Sequence, residues 1–310
     1  MAGDGTLDAR ATLDRLGFFA STKPEELKIA RLGGLTNRVF KVDSDGASYV
    51  LRLPGKGTEE YISRANEAVA ARAAARAGVS PDVVIFEEPG GVMLSEFVAG
   101  ATTMTPALFR SVAGSPSRAA LAFKTLHDSN ETFASRFELF GMIDDYLMVL
   151  SAKTVKFPVG YHAVLTEAEG VRAALAAHPL PLVPCHCDPL CENLLDTGKR
   201  MWIVDWEYSG MNDPLWDLGD LSVEGSFDIV QDEEMLLAYF GCQPKPAERG
   251  RMVIYKAMCD LLWTLWGLIQ LANNNPADDF AKYAEKRFSR CKELMADPAF
   301  ARHVTAVIMG

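Results

Sequence analysis

The spacing of apolar residues changes character along the chain. Leu7 to Ala20 carries them at helical intervals, so the first segment predicts a helix. Leu27 to Leu32 reads instead as a strand, closed by a Gly33-Gly34 turn. Arg38 to Val42 and Tyr49 to Leu53 alternate like two more strands, with Asp45-Gly46 as the hairpin between them. Glu59 to Ala77 is Ala-rich and predicts a helix that stops at Gly78. Val83 to Phe86 and Val92 to Phe97 predict a second hairpin around Pro89-Gly90-Gly91. After Gly100 the longer period takes over: Thr105 to Leu126, Leu139 to Ser151 and Thr166 to Ala177 predict helices. Leu182 to Leu195 is strand-like around a loop, and Met201 to Val204 is a short strand. From Pro214 onward the pattern is mostly helical, with Asp213-Pro214 as a helix start.

Strands thus dominate the first hundred residues and helices the last two hundred. The expected fold class is α+β, with a small mixed β-sheet lobe over residues 1–97, a crossing at about 96–100, and a larger helical lobe over 98–310. A cleft between lobes is a favoured ligand site. The longest apolar stretch, Leu261 to Ala272, is shorter than the ~20 residues of a membrane span. Asp260 and the Asn273 to Asn275 run close it off, so it reads as a buried core helix rather than a membrane span. Met1 to Arg10 has acid and no apolar run, which predicts no signal peptide. The chain has 31 basic and 41 acidic residues, a net charge of −10, which argues against nucleic acid as a partner. It fits a partner that is small, or cationic, or brings its own metal. Six cysteines in 310 residues make no disulfide scaffold, so reduced thiols and a cytoplasmic location are expected. Nothing in the sequence sets the oligomeric state.

The chemistry is concentrated in Cys185-His186-Cys187-Asp188-Pro189-Leu190-Cys191-Glu192-Asn193, which contains His-x-Asp, four residues, then Asn. A short turn over Asp196 to Arg200 leads to the strand Trp202-Ile203-Val204, and then Asp205-Trp206-Glu207. His-x-Asp alone is common by chance, and a lone Asp at a strand end is ordinarily a turn residue or cap. The whole set is more specific. Phosphoryl transfer needs a carboxylate facing the acceptor hydroxyl and oxygen ligands for magnesium on the phosphates. Asp188 has the position of the first; Asn193 and Asp205 have the positions of the second. A hairpin would bring both ends to one spot. Glu207, two residues past Asp205, shares its face if that stretch is extended and would serve a second magnesium.

With these residues in hand, the chain resembles the choline/ethanolamine kinases, bacterial choline kinases most of all, within the aminoglycoside-phosphotransferase and protein-kinase-like fold. The resemblance spans Leu27 to Gln270 and rests on Gly33-Gly34-Leu35-Thr36-Asn37, Val50 to Gly55, His186 to Asn193, Asp205-Trp206-Glu207-Tyr208 and Trp263-Thr264-Leu265-Trp266. It implies a two-lobed protein-kinase-like fold and ATP-dependent, magnesium-dependent phosphorylation of choline or a related amino alcohol. Ethanolamine, an aminoglycoside or thiamine remain alternative acceptors, and a nucleotide-binding pseudokinase scaffold is the alternative outside catalysis. By resemblance, Gly34, Thr36 and Asn37 belong to the phosphate loop, although no Gly-x-Gly-x-x-Gly is present. Arg52 stands where a protein kinase has Lys and would hold nucleotide phosphates, with Glu67 as its ion-pair partner and Arg64 as a weaker rival cation. Glu96 and Phe97 match the hinge where backbone groups would meet adenine. Trp263 and Trp266, at i and i+3, would face a quaternary ammonium; two Trp on an apolar helix are otherwise core. Glu207, Tyr208 and Glu224 match acidic and aromatic positions near the family's choline site.

Asp217 is expected to brace the catalytic loop by accepting backbone hydrogen bonds, and His186 to support that loop from a buried position. Asp220, Leu221, Gly225 and Ile229 depart from eukaryotic relatives, so the pocket wall differs in part. Cys185, Cys187 and Cys191 flank His186, but no second Cys pair follows at finger or ribbon spacing, so zinc is not expected. The stretch between Glu207 and Pro214 leaves no room for a protein kinase's activation loop, and no Ala-Pro-Glu closes it.

Overall fold

The computed structural model describes residues 5–33, 37–55 and 62–310. Strands β1 (Lys28–Gly33), β2 (Arg38–Ser44), β3 (Ala47–Leu53), β4 (Val83–Glu87) and β5 (Val92–Glu96) form one antiparallel sheet in the order β1-β2-β3-β5-β4. Asp45 and Gly46, both at positive φ (50° and 79°), make the tight β2–β3 turn that the sequence signals. The register sets Arg52 of β3 opposite Val39 and Met93, in the middle of the sheet. Phe40, Val42, Leu51, Leu53 and Leu94 form a small core on one face, joined by Ala9 and Leu13 of helix α1 (Thr6–Leu16). That helix ends at Gly17, which takes a left-handed φ of 70°, and so falls short of the expected Ala20.

Helix α2 (Arg64–Arg76) starts at a Ser63 cap, later than the expected Glu59; positions 59–61 lie outside the described residues. Its small residues Ala70, Ala71, Ala73 and Ala74 join the large core of the helical part rather than the sheet's own core. The chain then runs through β6 (Thr102–Thr103), α3 (Pro106–Ser111) and α4 (Ser115–His127). The single helix expected over Thr105 to Leu126 is thus two. Gly114, at a φ of 73°, breaks it, and Pro116 restarts it in the first turn, where a missing N–H costs nothing. After α5 (Leu139–Ser151), α6 (Tyr161–Ala177) begins more than a turn before the expected Thr166, because buried Tyr161 follows a left-handed Gly160.

The segment from 183 to 212 is built from β7 (Val183–Cys185), a 3-10 turn (Cys191–Asn193), and strands β8 (Leu194–Asp196), β9 (Met201–Ile203) and β10 (Gly210–Asn212). β6, β8 and β9 form one small sheet, and β7 pairs with β10. Helices α7 (Pro214–Glu224), α8 (Ile229–Phe240), α9 (Pro246–Ala272), α10 (Phe280–Ala296) and α11 (Pro298–Met309) complete the fold. Asp213 caps α7 through the Leu215 amide, ahead of Pro214. α9 is long and apolar enough to cross a membrane, but 83% of its most apolar window is buried, which makes it the core helix of this lobe. The fold is α+β, with the two lobes of protein-kinase-like enzymes.

Candidate active site

His186 to Leu190 leave β7 as a loop, and the 3-10 turn carries the chain into β8. Cys187 holds a left-handed φ of 68°, uncommon for a side-chain-bearing residue. The neighbours over-determine it. The Asp217 carboxylate accepts from the backbone N–H groups of His186 and Cys187, both at 2.8 Å. Trp216 Nε1 donates to the Cys187 carbonyl at 3.1 Å, and Ser209 Oγ to the His186 carbonyl at 3.1 Å. His186 is fully buried; its Nε2 lies 2.9 Å from the Val204 carbonyl, while Nδ1 accepts from the Asp188 amide at 3.4 Å. A carbonyl accepts only, so the proton sits on Nε2. Burial lowers the imidazole's pKa and keeps it neutral. His186 therefore ties the loop after β7 to the end of the β8–β9 hairpin.

That tie brings Asp188, Asn193 and Asp205 together. Asn193 Nδ2 donates to the Asp188 carbonyl at 3.1 Å, leaving its amide oxygen for a cation. Asp205 is at a left-handed φ of 69°, just past β9. Burial, followed by the charges of Glu224 and Asp205, raises the Asp188 carboxyl well above the ordinary carboxylate range. Asp205 is pushed up to about 7, by burial and then by Glu207, against the opposing pull of Arg52.

The carboxylates of Glu67, Asp205 and Glu207 lie within 4.8 Å of one another. Two arginines hold them. Arg52 Nη1 pairs closely with Glu67, is 3.1 Å from Asp205 and 3.6 Å from Glu207, and Nη2 donates to the Gly91 carbonyl at 3.2 Å. Burial alone would lower the Arg52 pKa; Glu67, Asp205 and Glu207 together raise it, so the guanidinium stays charged. Arg64 Nη1 donates to Glu67 at 2.7 Å and to Glu207 at 2.6 Å. The rival cation is therefore part of the same cluster. Gly91 makes room for it: a Cβ there would lie 2.5 Å from Arg64 Cδ, on a backbone at a φ of 67°. Asn37 Nδ2 donates to Glu207 at 3.1 Å, and its Oδ1 accepts from the Gly55 amide at 3.2 Å, which ties the chain before β2 and after β3 to the cluster. Gly34 and Thr36 lie outside the described residues.

At the hinge, the backbone N–H groups of Glu96 and Phe97 are already given to the carbonyls of Asp82 (2.9 Å) and Ser48 (3.1 Å). Adenine would meet other backbone groups of this crossing. A cavity of about 440 Å³ opens beside it, between Ser80 to Asp82, residues 96–99, Arg200 and Trp202, and none of Asp188, Asn193 or Asp205 lines it.

Tyr208 meets Trp263 edge to face at 5.3 Å, and Trp263 meets Trp266 at 6.3 Å. Trp266 continues the aromatic wall to Phe280 and Tyr283, both at 5.6 Å. Trp263 is nearly fully buried and Trp266 partly so. Glu224 pairs with Arg287 at 2.5 Å, and Arg287 lies 4.9 Å over the Tyr283 ring. Glu207 is drawn into the arginine cluster, whereas Tyr208, Glu224 and both Trp residues share the other wall. Sequence reasoning missed Arg287, Arg290 and Tyr283, all on α10, beyond the stretch that carries the resemblance. A signal was present: arginines at i and i+3, one turn of helix, suited to the buried Asp260.

A protein-kinase-like fold with an Asp-x4-Asn loop, an acid after the following strand and a buried arginine–glutamate pair in the sheet lobe defines a phosphotransferase acting on an alcohol group. The chain belongs to the choline/ethanolamine kinase family, which it matches over residues 29–244, and it is an ATP-dependent amino alcohol kinase. It is similar to a choline/ethanolamine kinase family protein from Mesorhizobium loti, at 63% identity and a TM-score of 0.90 over 98% of this chain and 99% of that one. It shares the fold of choline kinase LicA from Streptococcus pneumoniae, with 24% identity and a TM-score of 0.77 over 93% and 98% of the two chains. Mouse ethanolamine kinase 2 is 25% identical over 86% of this chain and 76% of its own length.

Proposed function

We propose that the enzyme transfers the γ-phosphoryl group of Mg-ATP to the hydroxyl of choline or a close amino alcohol, with residues 1–97 as the nucleotide lobe, 98–310 as the catalytic and acceptor lobe, and the hinge at about 96–100. The observation that carries this reading is the acidic cluster of Glu67, Asp205 and Glu207 held by Arg52 and Arg64, whose Asp205 charge, with that of Glu224, acts on the buried Asp188 carboxyl. Asp188 orients the acceptor hydroxyl and takes its proton.

The donor set is all oxygen: Asn193, Asp205 and Glu207, with Glu67 close by. That chemistry fits magnesium, which takes carboxylate and amide oxygens and phosphates. When bound, magnesium offsets charge on the β- and γ-phosphates. Arg52 and Arg64 are poised to turn from carboxylates to phosphates, and Asn37 to fix the loop above them. The aromatic wall attracts a quaternary ammonium, which has no N–H to donate, by ~0.5–2 kcal/mol. Six free cysteines, five of them buried, fit a reducing compartment and hence the cytoplasm.

A coupled ADP-release screen over choline, ethanolamine, thiamine and aminoglycosides tests the acceptor. Turnover with choline or ethanolamine is expected. Turnover with an aminoglycoside alone overturns the reading.

A further inference from the structure

Asp220 has no exposed surface and lies one helical turn before Glu224 on α7. Its Oδ1 accepts from the Cys259 thiol at 3.0 Å, but its Oδ2 is buried with no hydrogen-bond partner. Glu224 Oε1 is likewise buried without one; Arg287 touches it at 2.5 Å as an ion pair, without hydrogen-bond alignment. Oxygens of the two carboxyl groups and Cys259 Sγ lie within 4.8 Å of one another. Two ionised carboxylates so close and so dry repel strongly, and an acceptor oxygen buried without a donor is itself unfavourable.

The surrounding charges do not supply the missing donor. Arg287 is divided between Glu224 and Asp260, the latter at 3.3 Å, and its ring neighbour is Tyr283. Arg290 is committed to Asp260 at 2.5 Å. Asp188, from the catalytic loop, adds a further negative field. Three carboxyl groups on α7 and α9 thus face two guanidinium groups on α10. Among the described residues, Asp220 is the one of the three that no ion pair reaches. A divalent metal on Asp220, Glu224 and Cys259 would be repelled by Arg287, already in contact with Glu224. A single proton removes both unpartnered oxygens and the charge excess at once.

We propose that Asp220 is protonated in the free enzyme, its Oδ2–H turned toward Glu224, and that it releases this proton when a cationic acceptor seats beside Glu224. This rests on the reading that the acceptor carries an ammonium group. In the exchange the O–H bond of Asp220 breaks, and the proton leaves through the Glu224 carboxylate, the partly exposed member of the pair. The ammonium takes over its charge, and nothing is oxidised or reduced. Proton and acceptor then compete, so the acceptor KM falls as pH rises, through a pair that does not touch the reacting hydroxyl. Asp220 is a specificity-determining residue: a neutral alcohol gains nothing from the exchange.

The infrared spectrum of the free wild-type enzyme at neutral pH, minus that of Asp220→Asn, is expected to show the carbonyl stretch of a protonated carboxyl group. Saturating the wild type with choline is expected to remove the same band, a measurement that needs no variant. Titration calorimetry of choline in two buffers of different ionisation enthalpy is expected to show about one proton released per choline bound, and none for Asp220→Asn. In that variant the choline KM is expected to rise about tenfold and lose its pH dependence, with kcat within about threefold. Absence of the band in the free enzyme overturns the protonation, whatever the acceptor. Choline binding without proton release overturns the exchange. Failure of every ammonium compound to bind overturns the exchange together with the acceptor reading, while the infrared band still decides the state of Asp220.

Discussion

In one cluster Glu67, Asp205 and Glu207 face Arg52 and Arg64, which come from β3 and α2. In the other, Glu224 and Asp260 face Arg287 and Arg290, and all four sit on helices α7, α9 and α10. The first set joins β3 and α2 to the segment after β9, whereas the second lies within helices α7, α9 and α10. Counting Asp220, three carboxyl groups face two guanidinium groups in each cluster. On the proposed reading the ligands differ in sign: a nucleotide would bring negative charge to the arginines of the first, and an ammonium positive charge to the carboxylates of the second.

The largest effect expected is at Asp188. If it is the base proposed above, Asp188→Asn is expected to lower kcat by ~10²–10⁴-fold, because the amide cannot accept the hydroxyl proton. ATP affinity, measured by calorimetry, is expected to stay within about threefold, since Arg52 and Arg64, the proposed phosphate ligands, are untouched. A comparable loss of ATP affinity would mean that Asp188 belongs to the nucleotide region alone.

The next prediction tests the nucleotide region by pH. Burial and the Glu207 charge push the Asp205 carboxyl up to about 7, and as the proposed magnesium ligand it would act only when ionised. The sign follows: acid protonates the ligand, so Mg-ATP affinity falls as pH drops through about 7, approaching tenfold per pH unit well below it. Calorimetric titrations on either side of that value check it. Asp205→Ala is expected to weaken Mg-ATP binding at all pH values and to remove the dependence.

Arg64→Gln tests the first cluster by stability. Among the described residues it leaves buried Glu207 with Asn37 and the more distant Arg52 as partners. A broken buried pair costs ~3–5 kcal/mol. Thermal unfolding of the free enzyme is expected to show the loss, and saturating Mg-ATP to recover part of it, because on the proposed reading Glu207 would be a ligand of the bound magnesium. No recovery would count against Glu207 as a magnesium ligand.

The two regions were also unequally legible in the sequence. Asp188, Asn193 and Asp205 stand out because one loop and one hairpin carry them, at spacings that phosphoryl transfer dictates. The Arg52–Glu67 pair is non-local but follows a strand-then-helix order with family precedent. Arg287 and Arg290 lie some 60 residues past Glu224 on a helix that reads only as amphipathic. Helix packing brings them to Asp260, and no spacing rule announces it. The break at Gly114 was missed for a local reason: apolar periodicity continues through Val112 and Ala113, while a left-handed glycine and Pro116 reset the backbone. The shared core of α2 with the helical lobe was hidden because small alanines carry no partner preference of their own.

The smallest effect expected lies in the aromatic wall and is read as a ratio. Trp266 contacts Trp263, Phe280 and Tyr283, so Trp266→Ala also loosens the core. A loss of folded fraction scales the rates for choline and ethanolamine alike and cancels in their ratio. A quaternary ammonium relies on ring faces, whereas a primary ammonium also donates hydrogen bonds to carboxylates. Losing one ring at ~0.5–2 kcal/mol therefore shifts the ratio of kcat/KM values against choline by ~2–30-fold. An unchanged ratio would assign selectivity to the carboxylates alone and reduce the Trp pair to packing.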